Sequence, residues 1–411
     1  MVNYPSEWNE KSFNEFMKIK RGASPRPIES YITSSTEGVN WIKIGDAPRY
    51  GKYITSTTER ITPKGAIHSV SVYPGDFILS NSMSFGRPYI LNIEGCIHDG
   101  WLRLYDFQSE ATDEFLYYLL SSSYVQRQYE SFAAGSGVQN LNKEVVKKVN
   151  VVLPSIPEQE EIARTLSQFD TYIDDLAELI EKKKSIRDGV LEDLISGRTR
   201  LAGFEETWSE KKLRELCTLI TKQTGFDYSN EIKASLMEYR TTNSLPFIQN
   251  KDFEGFTINY QTDFYIPFDV AIKYPKIVID EVCLLISISG RIGNVAVFNN
   301  KETAFAGGAV GIAKLIDPEL ATWCMLYISS SLGQKQIFAN EKVGAQHNLT
   351  VEDVRNLIIK LPKSEEREAI VATIKSMDEE IKALETEREK MILIREGAMD
   401  DLLTGRVRLN K

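Results

Sequence analysis

Apolar residues recur at helical spacing over two long stretches of the chain, 153–201 and 361–409. In both stretches they alternate steps of four and three residues. This spacing predicts a coiled-coil seam, in which the apolar side chains of one helix pack against those of another. The residues expected to pair the two helices are Ile162, Leu166, Phe169, Ile173, Leu176, Ile180, Ile370, Ile374, Met377, Ile381, Leu384 and Met391.

The two stretches are copies of each other at a constant offset of 208 residues, and 20 of their 49 aligned positions are identical. Ser155 to Glu158 has the pattern of a capping box with a proline in the first turn, which predicts a helix start. Gly197 and Gly405 predict the two helix ends. Helices of this length form a rod of roughly 58 Å. We expect antiparallel pairing that holds two globular domains at opposite ends of the rod. The alternative is an ordinary amphipathic helix on each domain.

Four basic residues interrupt the apolar seam. Lys183 and Arg187 occupy seam positions in the first copy, and Arg388 and Arg395 in the second. Charged residues at seam positions weaken helix pairing unless they find partners. We interpret them as places where a partner subunit completes the packing.

The segments that precede the helices alternate short β-branched and aromatic runs with Gly, Pro and Asn, which is typical of strands. Each segment opens on a tryptophan motif, Trp8 and Trp208, and contains one helix-periodic stretch. The predicted strands are Trp41–Ile44, Ile67–Tyr73, Phe77–Ser80, Tyr89–Ile93, Trp101–Tyr105, Val149–Leu153, Phe256–Tyr260, Lys276–Ser287, Asn294–Phe298, Ala309–Leu315 and Leu357–Leu361. The predicted helices are Thr112–Glu130 and Pro318–Asn340.

These patterns predict an α+β fold with a pseudo-twofold internal repeat. Each half is a mixed globular domain with a twisted, largely antiparallel sheet, followed by a long helix that joins an antiparallel coiled coil. The predicted boundaries are 1–152 for the first globular domain, 153–201 for the first helical region, 202–360 for the second globular domain and 361–411 for the second helical region. The frame repeats while the loops between frame positions diverge, as two domains with different targets require.

Charge is distributed unevenly along the chain. The formal net charge of the protein is −9, yet residues 158–196 and 366–404 together carry −11, so the remainder carries +2. The acidity therefore belongs to the helices, and the globular domains are free to present basic loops to phosphates. Four scattered cysteines and the absence of a secretory or membrane pattern favour a reducing cytoplasm.

Catalytic motifs are missing from the sequence. The stretch Gly45 to Tyr53 has the wrong spacing for a phosphate-binding loop, and Tyr53 replaces its Ser or Thr. The three histidines lack metal-ligand spacing, so we expect no metal site. There is no Asn-Pro-Pro-Tyr or related motif of an amino-methyltransferase. These absences indicate a binding protein.

The whole arrangement resembles the DNA-specificity subunit of type I restriction-modification systems. The residues that carry the resemblance are the helix start Pro154-Ser-Ile-Pro-Glu-Gln-Glu-Glu-Ile162, the two Gly-Arg-x-Arg-Leu ends, and Ser287-Ile-Ser-Gly-Arg-Ile-Gly293. Two segments depart from the family pattern: Ser80-Asn-Ser-Met-Ser-Phe-Gly86 and Ser364-Glu-Glu-Arg367.

The resemblance implies a non-catalytic subunit that reads a two-part site in double-stranded DNA, with the helices setting the gap between the parts. It implies docking of two methyltransferase subunits, and of restriction subunits where these are present. S-adenosylmethionine would bind the methyltransferase, and ATP and Mg²⁺ a restriction subunit, so no cofactor is expected in this chain.

Polar residues in the loops of both domains are the candidates for DNA contact, because Lys and Arg bind phosphates and long polar side chains read base edges. Arg87 and Arg291 are the favoured pair, since each lies beside a glycine in the equivalent strand-to-strand loop of its domain. The candidates are Lys20, Arg21, Arg26, Lys43, Arg49, Lys52, Asn81, Ser84, Arg87, Gln139, Asn140, Lys222, Gln223, Arg240, Asn243, Gln249, Lys251, Ser289, Arg291, Asn294, Gln346, His347 and Asn348.

Two other classes of function stay open at this point. One is a coiled-coil scaffold that binds only proteins, which would show no salt-dependent affinity for DNA. The other is a DNA methyltransferase or nuclease of unrecognised pattern. Such an enzyme would methylate or cleave DNA by itself, without partner subunits.

Overall fold

The structure, a computed structural model, describes residues 4–48, 51–81, 86–134, 141–339 and 348–409. Its contacts divide the chain into two units. Unit one contains Met1–Glu178 and Glu385–Lys411, and unit two contains Leu179–Leu384. Both cuts fall inside the long helices. Each unit therefore holds one recognition domain and parts of both helices.

Unit one contains twelve strands within the described residues. They are β1 (Asn9–Ser12), β2 (Lys18–Arg21), β3 (Ile32–Thr33), β4 (Val39–Ile42), β5 (Tyr53–Ile54), β6 (Glu59–Ile61), β7 (Val70–Val72), β8 (Phe77–Ser80), β9 (Pro88–Leu91), β10 (Gly95–Ile97), β11 (Trp101–Tyr105) and β12 (Asn150–Leu153). Its shorter helices are α1 (Phe13–Phe16), α2 (Pro63–Ala66), α3 (Asp113–Ser121), α4 (Ser123–Ala134) and α5 (Lys143–Lys147), and the first long helix is α6 (Ile156–Ser196).

Two five-stranded sheets form the first domain, in the orders β3-β6-β4-β10-β7 and β2-β11-β8-β9-β5, and β1 pairs with β12. Most pairs are antiparallel, as expected, but β4 with β10 and β5 with β9 are parallel. All four residues of β8 are buried, because it lies inside its sheet and its apolar run packs on both faces. This strand positions the loop at its carboxyl end.

Unit two has the corresponding strands β13 (Ser209–Lys212), β14 (Cys217–Lys222), β15 (Ser244–Ile248), β16 (Phe253–Glu254), β17 (Thr257–Ile258), β18 (Tyr265–Pro267), β19 (Val278–Ile279), β20 (Cys283–Ser287), β21 (Val295–Phe298), β22 (Ala304–Ala306), β23 (Val310–Leu315) and β24 (Ile358–Leu361). Its helices are α7 (Leu213–Leu216), α8 (Gly225–Asp227), α9 (Lys233–Ser235), α10 (Phe268–Ala271), α11 (Leu320–Ser329), α12 (Ser331–Phe338) and α13 (Val351–Arg355), and the second long helix is α14 (Ser364–Leu403). The sheets run β14-β23-β20-β21 and β18-β15-β22-β19, with the pairs β13-β24 and β16-β17.

The prediction of one helix over Thr112–Glu130 is wrong, because the segment is two helices. Ser122 lies between α3 and α4 with extended backbone, φ −66° and ψ 148°. Its hydroxyl accepts a hydrogen bond from the Val125 amide, an arrangement that competes with helix continuation. Ser330, 208 residues later, separates α11 from α12 in the same way, so the second predicted helix is also two.

Three predicted strands are too long. Of the stretch Phe256–Tyr260, only Thr257–Ile258 forms a strand, β17. The stretch Ile67–Tyr73 contains only β7, because Thr62 accepts a hydrogen bond from the Gly65 amide and starts the short helix α2 just before it. The stretch Lys276–Ser287 is divided into β19 and β20. A continuous apolar pattern does not distinguish one strand from two that belong to different sheets.

Within each unit the long helices run antiparallel. In unit one, Asp170 of α6 accepts from Arg395 of α14 at 2.8 Å. Tyr172, further along α6, donates to Glu387, further back along α14. In unit two, Lys183 donates to Glu380 at 2.6 Å. As the residue number rises along α6, the partner's number falls along α14.

Eight of the twelve predicted seam residues are buried, and four of these, Ile162, Leu166, Ile370 and Ile374, belong to the hydrophobic cores of the domains. Ile162, Leu166, Ile173, Leu176, Ile180, Ile370, Ile374 and Ile381 are buried, and Phe169, Met377, Leu384 and Met391 are half-buried. Three of the four basic seam residues already have acidic partners in this chain: Lys183, Arg187 and Arg395. They therefore do not need a partner subunit to neutralise them, contrary to the interpretation from the sequence.

A cluster of a tryptophan, a glutamate and an arginine fixes the start of each long helix. In unit two, the Trp208 indole donates to Glu366 at 2.9 Å, and Arg200 bonds the same carboxylate through two nitrogens. In unit one, Trp8 and Arg408 both donate to Glu158, but Arg408 uses one nitrogen for Glu158 and another for Glu7. The arginine always comes from the closing motif of the other helix copy.

Both predicted helix ends have the geometry that requires glycine. Gly197 and Gly405 adopt φ of +72° and +69°, a left-handed conformation that is strained for other residues. The amides that follow close the helix, as when Val407 donates to the Asp401 carbonyl at 3.2 Å. Among the described residues, no helix is both long and apolar enough to span a membrane.

Candidate nucleic-acid interface

In unit one, the loops after β2, β4 and β8 meet the segment before β11. The Gly22 amide donates to Trp101, the Ile44 amide to the His98 ring and the Asn81 amide to Gly100. Gly22 is required here, because a Cβ would lie 2.0 Å from the His98 carbonyl oxygen. We call the segments 21–26, 43–46, 81 and 97–100 the first loop edge.

Three candidate residues of the first loop edge converge on Asp99. The Asn81 amide group donates to the Asp99 carbonyl at 2.8 Å, and the Arg21 guanidinium donates to the same carbonyl at 3.1 Å. Arg26 lies 3.8 Å from the Asp99 carboxylate and is 83% exposed. Asn81 is buried and partnered, whereas the two arginines face solvent. The cluster therefore presents two arginines to solvent, and the buried Asn81 side chain fixes the position of the segment that carries Asp99.

The surroundings favour the charged form of Asp99 and the neutral form of His98. A hydrogen bond from the Ser24 hydroxyl lowers the pKa of Asp99, and the charge of Arg21 acts in the same direction. Burial lowers the pKa of His98 and so favours its neutral form, although the charge of Asp99 opposes this shift. The backbone amides of Gly100 and Ile44 each point at one ring nitrogen, and the neutral ring, which has a single acceptor nitrogen, accepts only one of them at a time.

The remaining described candidates of unit one occupy other surroundings. Lys20 is exposed on β2. Lys43 starts the turn at 44–46 and pairs with Glu59 at 2.5 Å. Lys52 pairs with Glu114 and lies 5.6 Å from the centre of the Tyr117 ring. These pairings reduce the charge that Lys43 and Lys52 can offer to a phosphate.

Arg87 lies away from the first loop edge. Its guanidinium stacks 5.1 Å from the centre of the Tyr89 ring. Together with Lys52 it lines a cavity of about 540 Å³ whose other walls include Asp170 of α6 and Arg388 of α14. Arg87 therefore faces the helix pair of its unit.

In unit two, the loops after β14, β15 and β20 meet the segment before β23. The Gly307 amide donates to the Ile248 carbonyl at 2.7 Å, and the Ile288 amide to the Ala309 carbonyl at 2.9 Å. Ser289 forms an isolated bridge with Asn348. We call the segments 222–224, 249–251, 288–291, 307–309 and 348 the second loop edge.

Candidates gather along the second loop edge with differing exposure. Arg291 and Asn348 are exposed, Lys222, Gln249 and Ser289 are half-buried, and Gln223 is buried. The Asn250 amide group, which sequence reasoning missed, donates to the Ser289 carbonyl at 2.9 Å and joins two of the loops. Arg291 has no hydrogen bond or ion pair to any residue that the structure describes.

Three candidates of unit two are tied to acids or lie elsewhere. Lys251 is on the second loop edge but pairs with Asp263. Arg240 pairs with Glu302, and the carbonyl of Asn243 accepts the Phe268 amide. Arg240 and Asn243 both precede β15, whereas the second loop edge begins at the opposite end of that strand.

Hydrogen bonding gives the register between the equivalent loops. The Ser80 amide donates to Arg87 in the first domain, and the Ser287 amide donates to Asn294 in the second. Arg87 therefore corresponds to Asn294, and Arg291 lies three residues earlier. Arg87 therefore lies at the end of its loop, directly before β9, whereas Arg291 lies in the middle of the equivalent loop of the second domain.

Six candidates lie outside the described residues: Arg49, Ser84, Gln139, Asn140, Gln346 and His347. The structure adds residues that the sequence reading did not select, above all Asp99, His98 and the pair Gly307-Gly308. Their signal was present as turn punctuation at His98-Asp-Gly100 and Gly307-Gly308. Across the described ranges, no group of three or more His, Cys, Asp or Glu side chains is placed to hold a metal ion.

The chain matches the family model described as "Type I restriction modification DNA specificity domain" twice, over residues 5–186 and 205–393. It is 24% identical to the type I restriction enzyme MjaVIII specificity subunit of Methanocaldococcus jannaschii, with 99% of this chain and 95% of that protein covered. A putative type I specificity subunit of Mycoplasma genitalium is 37% identical over 84 residues, which cover 20% of this chain and 21% of that protein.

Solved structures share the fold. A chain from a study of complex assembly and conformational transition of the type I R-M system aligns with a TM-score of 0.65 at 18% identity, with 98% of this chain and 100% of that chain covered. The HsdS subunit from Thermoanaerobacter tengcongensis aligns with a TM-score of 0.52 at 17% identity, with 98% of each chain covered.

Proposed function

The chain belongs to the type I restriction-modification DNA specificity family, as a non-catalytic specificity subunit, and we propose that each of its two domains reads one half of a split DNA target. The observation that carries the proposal is the pair of loop edges. Both are built from the same strand ends, yet they present different side chains. A shared frame with different polar residues at its rim is what two different half-sites require.

The residues of each edge divide by exposure into two roles. Exposed cations such as Arg21, Arg26 and Arg291 suit phosphate contact or bidentate contact with guanine. Partnered groups such as Asn81 hold the loops in place. The ion-paired Lys43, Lys52, Arg240 and Lys251 are weaker candidates for base contact, because their charges are already compensated.

We propose that the two long helices fix the spacing between the half-sites. They are nearly equal in length, 41 and 40 residues, and each passes without interruption from one unit into the other. Because they pair antiparallel, an insertion in one helix alone would shift its register against the other. The spacing function therefore requires matched changes within 170–185 and 378–393.

A specificity subunit acts within a larger complex, and we propose that two methyltransferase subunits dock on this chain. Apolar side chains on the surface of α14 favour such docking: Leu393 is 67% exposed and Ile394 is 42% exposed. We further propose that S-adenosylmethionine binds only to the methyltransferase, and that ATP and Mg²⁺ bind a restriction subunit where one is present.

Footprinting of the complex formed with its methyltransferase tests the proposal. We expect two protected DNA segments separated by a spacer of fixed length. Variants with one matched turn added to both helices should lengthen the spacer and leave the half-site sequences unchanged. A single continuous recognition sequence, or a half-site that changes with helix length, would contradict the proposal.

A further inference from the structure

Gln223 is a buried amide with unmet hydrogen-bonding capacity. The residue is 3% exposed, and neither its side-chain nitrogen nor its oxygen has a hydrogen-bond partner among the residues that the structure describes. A buried polar atom without a partner is destabilising, because water is lost and nothing replaces it. Such groups are few in native structures, and each of them calls for an explanation such as a bound water, an ion or a functional role.

Gln336 in the same unit shows what a structural glutamine looks like. Its nitrogen donates to the Ile358 carbonyl at 2.9 Å, and its oxygen accepts the Ile358 amide at 2.7 Å. Both groups of the amide are satisfied by one backbone residue. Gln128 does the same with Asn150 in unit one. Gln223 has the same chemistry and no such pair of bonds.

The position of Gln223 places this unused amide at the second loop edge. It follows Lys222, the last residue of β14, and precedes Thr224, whose hydroxyl accepts the Asp227 amide at 3.1 Å and starts α8. Its oxygen lies beside Gly308, where an added Cβ would meet it at 3.4 Å. The next turn carries Phe226, which is 77% exposed. The buried amide of Gln223 and the exposed ring of Phe226 therefore lie on either side of the turn that starts α8.

Release of the amide from its buried position breaks no hydrogen bond. A glutamine side chain has three rotatable bonds, and Thr224 beside it is exposed. Rotation of the side chain brings its amide toward the rim of the edge. An ordinary structural amide such as Gln336 would lose two hydrogen bonds in the same movement.

A free amide with one donor side and one acceptor side complements the major-groove edge of adenine. The glutamine oxygen accepts from adenine N6, and the nitrogen donates to adenine N7. Guanine offers two acceptors there, and cytosine only a donor. We propose that Gln223 reads an adenine in the half-site of the second domain. This inference rests on the proposed function, because it assigns one base contact of the same interface.

The test compares the wild-type complex with complexes that carry Gln223→Leu, Gln223→Glu and the matched control Gln336→Glu. Each complex is incubated with a library of double-stranded DNA that is randomised at the half-site of the second domain. The bound sequences are then counted. We expect an adenine in the wild-type second half-site whose preference falls about tenfold or more in Gln223→Leu. Gln223→Glu should shift the same position toward cytosine, whose N4 donates to a carboxylate.

Thermal unfolding supplies an independent measurement. Because the amide has no partner in the free protein, Gln223→Leu should leave the melting temperature unchanged or raise it, while Gln336→Leu should lower it. A drop for Gln223→Leu similar to that for Gln336→Leu would overturn the inference, as would an unchanged second half-site in both Gln223 variants. If the wild-type complex selects no two-part sequence, the proposed function itself fails.

Discussion

Arg187 of the first long helix donates a hydrogen bond of 2.7 Å to Asp378 of the second. The residues 208 positions away, Arg395 and Asp170, form the same bond at 2.8 Å with the helices exchanged. Identical residues at a fixed offset therefore form equivalent ion pairs in both units, although the donor is Nε of Arg187 and Nη1 of Arg395. The repeat in the sequence is a repeat of interactions.

Substitution of Arg187 by Met should destabilise unit two by about 1–3 kcal/mol, because it leaves the Asp378 carboxylate without its charged donor. Arg187 is suited to this measurement, since its side chain is only 18% exposed. Urea unfolding of Arg187→Met, Asp378→Asn and the double variant would give the coupling energy of the pair. Fully additive effects would show that the pair contributes nothing.

Arg200→Met should destabilise unit two more than Arg408→Met destabilises unit one. The reason is the difference in burial of the glutamate partners: Glu366 is 2% exposed, whereas Glu158 is 17% exposed. An unpaired carboxylate is more unfavourable where water cannot reach it. Tryptophan fluorescence during unfolding would report the loss, since Trp208 belongs to the Glu366 cluster and Trp8 to the Glu158 cluster. Equal losses would contradict the burial argument.

Glycine positions in the helices should respond in opposite directions to alanine. Gly189 and Gly397 lie inside α6 and α14, and an added Cβ would meet open space, so alanine should stabilise by up to about 1 kcal/mol. Gly405 has positive φ, and a Cβ would lie 2.5 Å from Pro5, so alanine should destabilise by about 1–2 kcal/mol or more. Melting temperatures of the three variants would decide, and a stabilised Gly405→Ala would count against the described helix end.

Acid should weaken unit one through His98. Burial lowers the pKa of this histidine in the folded state, so the unfolded chain binds the proton more readily. The stabilising effect is complete above the unfolded value of about 6.5 and is lost as the pH falls through the folded pKa.

Urea unfolding at pH 7.5 and pH 5.5 checks this expectation. In His98→Gln the difference between the two pH values should shrink. The matched control is His68→Gln, the same substitution at an exposed histidine of the same unit. A pH dependence that survives the loss of His98 would assign it to other groups.

Arg291→Ala should weaken DNA binding more than Arg87→Ala. Arg291 is exposed and unpartnered within the described residues, whereas Arg87 stacks on Tyr89 in a cavity bordered by the long helices. If Arg291 contacts a phosphate, its loss should also reduce the salt dependence of binding by about one ion. Titration of each variant complex with target DNA at two salt concentrations measures both quantities. An equal effect of the two substitutions would refute this separation.

The regular parts of the fold were predictable because their signals are local. Strands β8 and β11 have the predicted bounds, and the glycine helix ends were found, since burial patterns and glycine preferences act over a few residues. The break at Ser122 was missed because the residues on either side keep a helical pattern of apolar positions. The division into units was missed because it depends on which half of each helix packs on which domain.

The candidate interface was predictable only as a set of loops. Asp99 contacts Arg21, Arg26 and Asn81, which lie up to 78 residues away in the sequence. The spacing of apolar residues does not predict contacts between residues so far apart. The unsatisfied state of Gln223 is likewise invisible until its surroundings are known. Residue type suggested the candidates, and three-dimensional contacts separated the exposed cations from the paired ones.

The division of the helices also sets an order of events during synthesis of the chain. Unit two is one continuous segment, Leu179–Leu384, and all of its contacts are available once the ribosome has released that segment. Unit one begins before unit two but includes Glu385–Lys411, so Glu158 gains its partner Arg408 only after the whole of unit two has been synthesised. Of the two units, the one that begins first is therefore the last to be completed, and a chain truncated before Glu385 would lose stability in the domain that precedes the first long helix.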